Sequence, residues 1–141
     1  MKKRIDSVLL IDSNKQSAHI NEEMIKATNL VGYVAVAYNA QNAVSYLKQR
    51  LAVGKDLPNI ILLDINLPGV SSWDFLEIFE TQFVDSYNHE IYLMSNDSNT
   101  KDVIKGSMHS LTQGVVNLPI IDWEINQILV NYSERYELHV A

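Results

Sequence analysis

The sequence has no cysteine among its 141 residues, which excludes disulfide bonds and metal sites built on thiolates. It also lacks a basic cluster, and a net charge of −6 with a pI of about 5.1 disfavours direct binding to nucleic acid or to an anionic membrane. No segment approaches transmembrane length, and the apolar run after the basic start MKKR ends at Asp12, too early for a signal peptide. These absences favour a cytoplasmic location.

The rest of the composition is ordinary for a globular chain, with 47% hydrophobic and 20% charged residues. A chain of 141 residues can bury one sizeable core. We therefore expect a single domain over residues 1–141, with its core between about residues 6 and 136.

Short apolar runs alternate with longer amphipathic stretches along the chain. Most of the runs are continuous, as expected for strands that are covered on both faces. The predicted strands are Val8–Asp12, Tyr33–Tyr38, Ile60–Asp64, Glu90–Ser95 and Gly114–Leu118.

The stretches between these runs carry apolar residues at helical spacing. The sets are Ala40, Val44, Leu47 and Leu51; Ile125, Leu129, Tyr132 and Tyr136; Leu76, Phe79 and Phe83; and Ile20, Met24 and Ala27. The candidate N-caps are Asn14, Asn39, Ser71 or Ser72, Ser98 or Asn99, and Asp122. Gly106 interrupts the predicted fourth helix, near residues 100–110, and weakens its signal.

Five strands that alternate with five helices predict an α/β fold, a doubly wound five-stranded parallel sheet with helices on both faces. In such sheets, sites form beyond the carboxyl ends of the strands. The polar residues at those predicted ends include Asp12, Asp64 and Ser95. Oxygen ligands of this type suit Mg²⁺, and a carboxylate neutralised by a metal beside a hydroxyl is a plausible phosphoryl acceptor.

Each of these residues also has a simpler interpretation. Asp12 could cap the first helix, as could its neighbours Ser13 and Asn14. Asp64 could be only a turn acid at a strand end, and a serine such as Ser95 is common there.

Four motifs resemble the receiver domain of bacterial two-component response regulators: VLLIDSN, NIILLDINLPGVSSWDFL, IYLMSN and VVNLPI. The resemblance runs from about Val8 to the last helix and implies a flavodoxin-like, receiver-like fold. It implies that Asp64 accepts a phosphoryl group from a histidine kinase or phosphotransfer protein. It also implies that Asn66 offers its backbone carbonyl to Mg²⁺, with Asp12 and Asp64 as further ligands, and that Ser95 turns toward the phosphoryl group.

The sequence departs from the receiver pattern at three positions. Receivers usually end the first strand with two adjacent acids, but here Ser13 follows Asp12, so Ser13 is a doubtful metal ligand. Leu118 stands where receivers place a lysine, and Val115 where they place an aromatic switch residue. The lost acid and the lost lysine leave the same formal site charge, so Mg²⁺ binding stays possible, although it is expected to be weak.

The resemblance supports two functions. The first is a phosphorelay receiver that accepts a phosphoryl group at Asp64 and passes a conformational change to a protein partner through the face from the fourth to the fifth helix, which includes Met108 and His109. The second is a pseudo-receiver, a protein-interaction module that works without phosphorylation. Neither is a turnover enzyme; at most, the chain catalyses phosphorylation and dephosphorylation of its own aspartate.

Two enzyme families with related architecture fit less well. A flavodoxin needs a Ser/Thr/Gly-rich phosphate loop after the first strand, and DSNKQSAH contains no glycine. A haloacid-dehalogenase-type phosphatase needs a second aspartate two residues after the nucleophile, and that residue is Asn66. The histidines at positions 19, 89, 109 and 139 show no metal-ligand spacing, and Trp73 and Trp123 are expected to pack locally.

Overall fold

Strands and helices alternate through the computed structural model, which describes residues 5–83, 88–95 and 100–136. The strands are β1 (Ile5–Ile11), β2 (Val31–Ala37), β3 (Ile60–Asp64), β4 (Glu90–Ser95) and β5 (Thr112–Asn117). The helices are α1 (Lys15–Ala27), α2 (Ala40–Ala52), α3 (Ser72–Gln82), α4 (Thr100–Ser107) and α5 (Asp122–Arg135).

The five strands form one parallel sheet in the order β2-β1-β3-β4-β5. The predicted fold class, a doubly wound five-stranded parallel sheet with helices on both faces, is confirmed. The order reverses at β1, whose neighbours are β2 and β3, and this reversal opens a crevice at the carboxyl ends of β1 and β3.

Two apolar clusters cover the two faces of the sheet, because successive residues of a strand point to opposite sides. On one face, Leu9, Ile61 and Leu93 pack with the buried residues of α2 and α3. On the other face, Leu10 and Leu62 pack with the buried residues of α1 and α5. All five residues of β3 are buried, as its continuous apolar run predicts.

The bounds of β3 and β4 are those predicted from the sequence, whereas the other three strands begin two or three residues earlier than predicted. Exposed residues such as Asp6, Gly32 and Gln113 interrupt the apolar pattern there. Main-chain pairing extends the strands across these residues; for example, Ile5 pairs with Val31.

Three predicted N-caps are confirmed, and one is wrong. Asn14, Asn39 and Ser71 each accept a hydrogen bond from the main-chain N–H three residues later. Asp122 is instead the first residue of α5, and the cap position belongs to Ile121, which forms no side-chain cap bond. The candidates Ser98 and Asn99 lie outside the described residues.

The buried face of α1 differs from the prediction. Ile20 is 58% exposed and Ala27 is also exposed, while the residues that face the core are Ala18, Asn21 and Ile25. The polar Asn21 in the middle of the true face conceals the helical pattern. In α2, likewise, Leu51 is half exposed although it fits the spacing.

The apolar set of α3 is confirmed, and that of α5 is confirmed except for Tyr136, which is partly buried at the C-cap; the buried members are Leu76, Phe79, Phe83, Ile125, Leu129 and Tyr132. The helix α4 is shorter than predicted and ends at Ser107, one residue after Gly106, which is buried against the sheet. A Cβ atom at Gly106 would lie 2.5 Å from Leu93 Cδ1 and 3.1 Å from Val115 Cγ2. The glycine therefore permits a close approach of α4 to β4 and β5.

Within the described part of the chain, every helix is too short or too polar to cross a membrane.

Candidate functional site

The site lies at the carboxyl ends of β1 and β3, which are neighbours in the sheet. Their pairing ends with Ile11 opposite Leu63, so Asp12 and Asp64 follow at the same level of adjacent strands. Both carboxylates are buried, with Asp12 1% exposed and Asp64 8% exposed. The expectation that these two acids come together at one rim of the sheet is confirmed.

The two aspartates begin turns of the same geometry. Asp12 Oδ1 accepts a hydrogen bond from the main-chain N–H of Asn14 at 2.9 Å, and Asp64 Oδ1 accepts one from Asn66 at 2.8 Å. In each turn, one carboxylate oxygen binds the main-chain N–H two residues later, which holds the side chain at the end of its strand. The helix cap itself is Asn14, so capping α1 does not account for Asp12.

The second oxygen of Asp12 lacks a hydrogen-bond partner although it is buried. A buried carboxylate oxygen without a donor is costly unless a cation or another donor binds it. This oxygen can therefore bind a cation or accept a hydrogen bond.

Several effects act on the pKa of Asp64 and together raise it above its ordinary value. The largest is burial, which disfavours the charged form, and both the charge of Asp12 and a direct contact with its side chain act in the same direction. Hydrogen bonds from the main-chain N–H groups of Asn66 and Ser13 oppose this rise. A neighbouring positive charge would therefore stabilise the ionised form of Asp64.

Ser95 is the last residue of β4, the strand next to β3, and it is 2% exposed. Its carbonyl accepts a hydrogen bond from the N–H of Leu118 at 2.8 Å. This bond ties the end of β4 to the segment that follows β5, so Ser95 lies at the same edge of the sheet as the two aspartates.

Several solved structures with this architecture are response regulators. A two-component response regulator from Cytophaga hutchinsonii is 26% identical, with a TM-score of 0.83 over 93% of this chain and 98% of that one. One from Legionella pneumophila is 20% identical, with a TM-score of 0.75 over 92% of this chain and 98% of that one. The receiver domain of a signal transduction histidine kinase from Syntrophus aciditrophicus is 16% identical, with a TM-score of 0.74 over 95% and 94%.

The chain has the fold of a response regulator receiver domain. No protein-family model matches its sequence, and no curated protein is significantly similar to it. The likeness is therefore carried by the structure together with a small number of motif residues.

The three altered receiver positions take different places in the structure. Ser13 reaches Asp64 through its main-chain N–H. Leu118 is partly buried and packs on the apolar cluster under α1 and α5. Val115 is partly buried against the cluster on the opposite face, next to Gly106 of α4. Leu118 thus contributes to the hydrophobic core.

The residues present fit a magnesium ion of the kind that keeps several water ligands. Mg²⁺ is usually held by one or two carboxylates, with water or phosphate oxygens completing its shell. Among residues 5–83, 88–95 and 100–136, no group of three or more acidic, histidine or cysteine side chains could hold a metal. The two carboxylates of Asp12 and Asp64, with the unsatisfied oxygen of Asp12, match a magnesium ion that is held by two carboxylates and completes its shell with water or phosphate oxygens.

Sequence reasoning missed the role of Ser72. Its hydroxyl is fully buried and donates to the main-chain carbonyls of Asp64 and Ile65. Ser71 and Ser72 are adjacent, and only one residue can cap α3. The pair of serines therefore indicates that one of them has a role other than capping.

Trp73 does not merely pack within its own helix. The Lys105 ammonium lies 4.4 Å from the centroid of its ring, and the ring stacks on His109 at 6.4 Å between centroids. Trp73 therefore connects α3 to the end of α4, whereas Trp123 is 69% exposed on α5. Of the other histidines, His19 is exposed, His89 packs on Phe79 with 5.1 Å between ring centroids, and His139 lies outside the described residues.

Proposed function

We propose that this receiver domain accepts a phosphoryl group on Asp64 from a histidine kinase or phosphotransfer protein and relays the change to a protein partner. The observation that supports it best is the pair of buried carboxylates with one unsatisfied oxygen on Asp12. The raised pKa of Asp64 fits the same picture, because a cation would offset both the burial and the charge of Asp12, which raise it.

In the proposed reaction, a carboxylate oxygen of Asp64 forms a bond to phosphorus while the bond from phosphorus to a histidine nitrogen breaks. The electron pair of that bond stays on the imidazole, which leaves, and an aspartyl phosphate results. Bound Mg²⁺ would neutralise charge on the phosphoryl oxygens. Asp12, Asp64 and the main-chain carbonyl of Asn66 would hold the ion, and the Ser95 hydroxyl would donate to a phosphoryl oxygen.

Leu118 stands where receivers usually have a lysine, so the phosphoryl group would lack the hydrogen bond of that charged side chain. A charge-assisted hydrogen bond contributes roughly 1.5–3 kcal/mol. Its loss slows transfer or destabilises the phosphorylated state by about ten- to a hundred-fold. We expect a working acceptor that is slower than a receiver with the full set of residues.

A pseudo-receiver is the alternative function, and the packing of Leu118 favours it. An apolar side chain that completes the core contributes to stability without any phosphorylation. Such a domain would bind its partner constitutively. Asp12 and Asp64 would then remain at the strand ends without an acceptor function.

The test is the intact mass of the chain after incubation with acetyl phosphate and Mg²⁺. The proposal expects one added phosphoryl group, none with Asp64→Asn, and a strongly reduced amount with Asp12→Asn. Asp64→Asn keeps the hydrogen bond from Asn66, so it removes the nucleophile with little change in shape. No adduct with any small phosphodonor, together with no Mg²⁺ binding by calorimetry, would support the pseudo-receiver instead.

The proposed output surface, at which a protein partner would bind, runs from α4 to α5. The location proposed for the protein is the cytoplasm. Ile104, Met108, Ile121 and Trp123 are all more than half exposed on or beside these helices. Large apolar side chains at such positions suit a protein partner. The acidic net charge of −6 disfavours direct contact with nucleic acid or an anionic membrane.

A further inference from the structure

The first residue of α3, Ser72, has a side chain that points away from its own helix. Its hydroxyl donates to the carbonyl of Asp64, the last residue of β3, and lies 3.0 Å from the carbonyl of Ile65. The side chain is 0% exposed, so water does not replace these contacts. Ser72 thus binds the main chain of the very residue that is proposed to carry the phosphoryl group.

The preceding residue provides a direct comparison. Ser71 is the N-cap of α3, and its side chain accepts a hydrogen bond from the N–H of Asp74 at 3.1 Å. The ordinary use of a serine at this helix start is therefore already filled by Ser71. The hydroxyl of Ser72 contributes nothing to the cap and acts on the end of β3.

Hydrogen bonds from several parts of the chain hold the turn at the end of β3. The N–H of Ile65 donates to the carbonyl of Met94 in β4 at 2.9 Å, and the N–H of Asn66 donates to Asp64 Oδ1 at 2.8 Å. The Ser72 hydroxyl adds its contacts with the carbonyls of Asp64 and Ile65. Pairing with β1 ends at Leu63, so the Asp64 carbonyl lies beyond that ladder, and Ser72 supplies a donor to it.

We propose that Ser72 is a positioning residue for the acceptor site, which orients the carboxylate of Asp64 by holding the main-chain carbonyls of Asp64 and Ile65. The inference rests on the proposed function and adds a residue to it. Groups that hold a metal ligand in place typically change metal affinity 10- to 100-fold when they are removed. Ser72 acts through the main chain of Asp64, so we expect an effect at the lower end of that range.

The test compares Ser72→Ala with the matched control Ser71→Ala, each in the full chain. Ser72→Ala should weaken Mg²⁺ binding about 10-fold by calorimetry and slow phosphorylation by acetyl phosphate. Ser71→Ala should lower stability to urea while it leaves the Mg²⁺ affinity within about two-fold of the wild type, because an N-cap supports only its own helix. Ser72→Thr, which restores the hydroxyl, should recover most of the affinity, and Ser72→Gly should behave as Ser72→Ala does.

A second readout needs no metal. Hydrogen exchange of the Asn66 amide reports the bond to Asp64 Oδ1 directly. In the metal-free chain, Ser72→Ala should speed this exchange about 3- to 10-fold, the range that one neutral hydrogen bond supports, and Ser71→Ala should not.

The outcomes separate the two proposals. Wild-type binding of Mg²⁺ with the same affinity in Ser72→Ala, and unchanged exchange at Asn66, would overturn the role of Ser72 and leave the acceptor site intact. A wild-type chain that gains no mass and binds no Mg²⁺ would overturn the proposed function, while the exchange at Asn66 would still decide whether Ser72 orients Asp64. Equal effects of Ser71→Ala and Ser72→Ala on Mg²⁺ affinity would reduce Ser72 to a general structural residue.

Discussion

Replacing Gly106 by alanine places a methyl group inside the contact between α4 and the sheet. The new Cβ would lie 2.5 Å from Leu93 Cδ1, 3.1 Å from Val115 Cγ2 and 3.7 Å from Trp73 Cη2. Non-bonded carbon atoms prefer separations of about 3.5–4.0 Å, so the Leu93 methyl or the helix must move by about 1 Å. Leu93 is fully buried, and the cluster around it leaves little room for another rotamer.

Two opposing effects set the size of the change. Alanine gains at most about 1 kcal/mol over glycine, the value for a helix interior, because Gly106 is the second-last residue of α4. Overpacking a core position costs about 1–3 kcal/mol. Gly106→Ala should therefore lower the free energy of unfolding by about 1 kcal/mol, although the same substitution at an open helix position would raise it.

The assay is urea unfolding, followed by far-ultraviolet circular dichroism, with Gly114→Ala as the matched control. Gly114 lies in β5, and a Cβ there would meet nothing within 4 Å. Alanine at Gly114 should leave stability unchanged or raise it by up to about 1 kcal/mol. The two alanine variants should thus move stability in opposite directions or by clearly different amounts.

A double substitution tests the cause. Leu93→Val removes the Cδ1 atom that lies nearest to the new methyl group, so Gly106→Ala should cost less in that background. We expect a coupling energy of about 1 kcal/mol between the two positions. If Gly106→Ala stabilises the chain as much as Gly114→Ala, or if the two positions show no coupling, then close packing is not the reason for glycine in α4.

Three further substitutions test the charges and the altered site. Burial and Asp12 raise the pKa of Asp64, so in the absence of Mg²⁺ stability falls as the pH rises from the ordinary to the raised pKa; Asp64→Asn should be the more stable chain at pH 7, and the gain should vanish at low pH. Arg135→Ala should cost about 2 kcal/mol in urea unfolding, because it leaves Glu90 buried without its cation; Arg135 is 46% exposed, which keeps the cost below that of a fully buried pair, and Glu90→Gln in the same background should recover part of it. Leu118→Lys should speed modification by acetyl phosphate about 10-fold and lower stability, whereas Leu118→Ala should lower stability without any gain in rate.

Local patterns in the sequence were sufficient for part of the fold and part of the site. The strands β3 and β4 are continuous apolar runs with polar ends, and their predicted bounds match the structure. Asn14, Asn39 and Ser71 cap their helices through bonds to residues three positions away, so the information lies in the neighbouring sequence. The carboxyl ends of parallel strands meet at one edge, which is why the meeting of Asp12 with Asp64 could be predicted.

Other features depend on contacts between residues that are far apart in the chain. The buried face of α1 contains Asn21, whose polarity disguises it, and only packing against the sheet selects that face. Glu90 pairs with Arg135 across 45 positions of the sequence, and no local pattern relates the two. The side chain of Leu118 packs on an apolar cluster that is formed by residues from distant parts of the chain, and this packing directs it toward the core.

The sequence by itself determined the α/β class and the edge of the sheet at which Asp12 and Asp64 lie, because these follow from periodicity and from the order of strands and helices. Only the tertiary structure explained the glycine at position 106, near the end of α4, because the reason is a distance to Leu93 in another element. Only the tertiary structure likewise assigned Ser72 to the end of β3. A hydroxyl can donate to any nearby carbonyl, and the folded chain places the carbonyls of Asp64 and Ile65 within its reach.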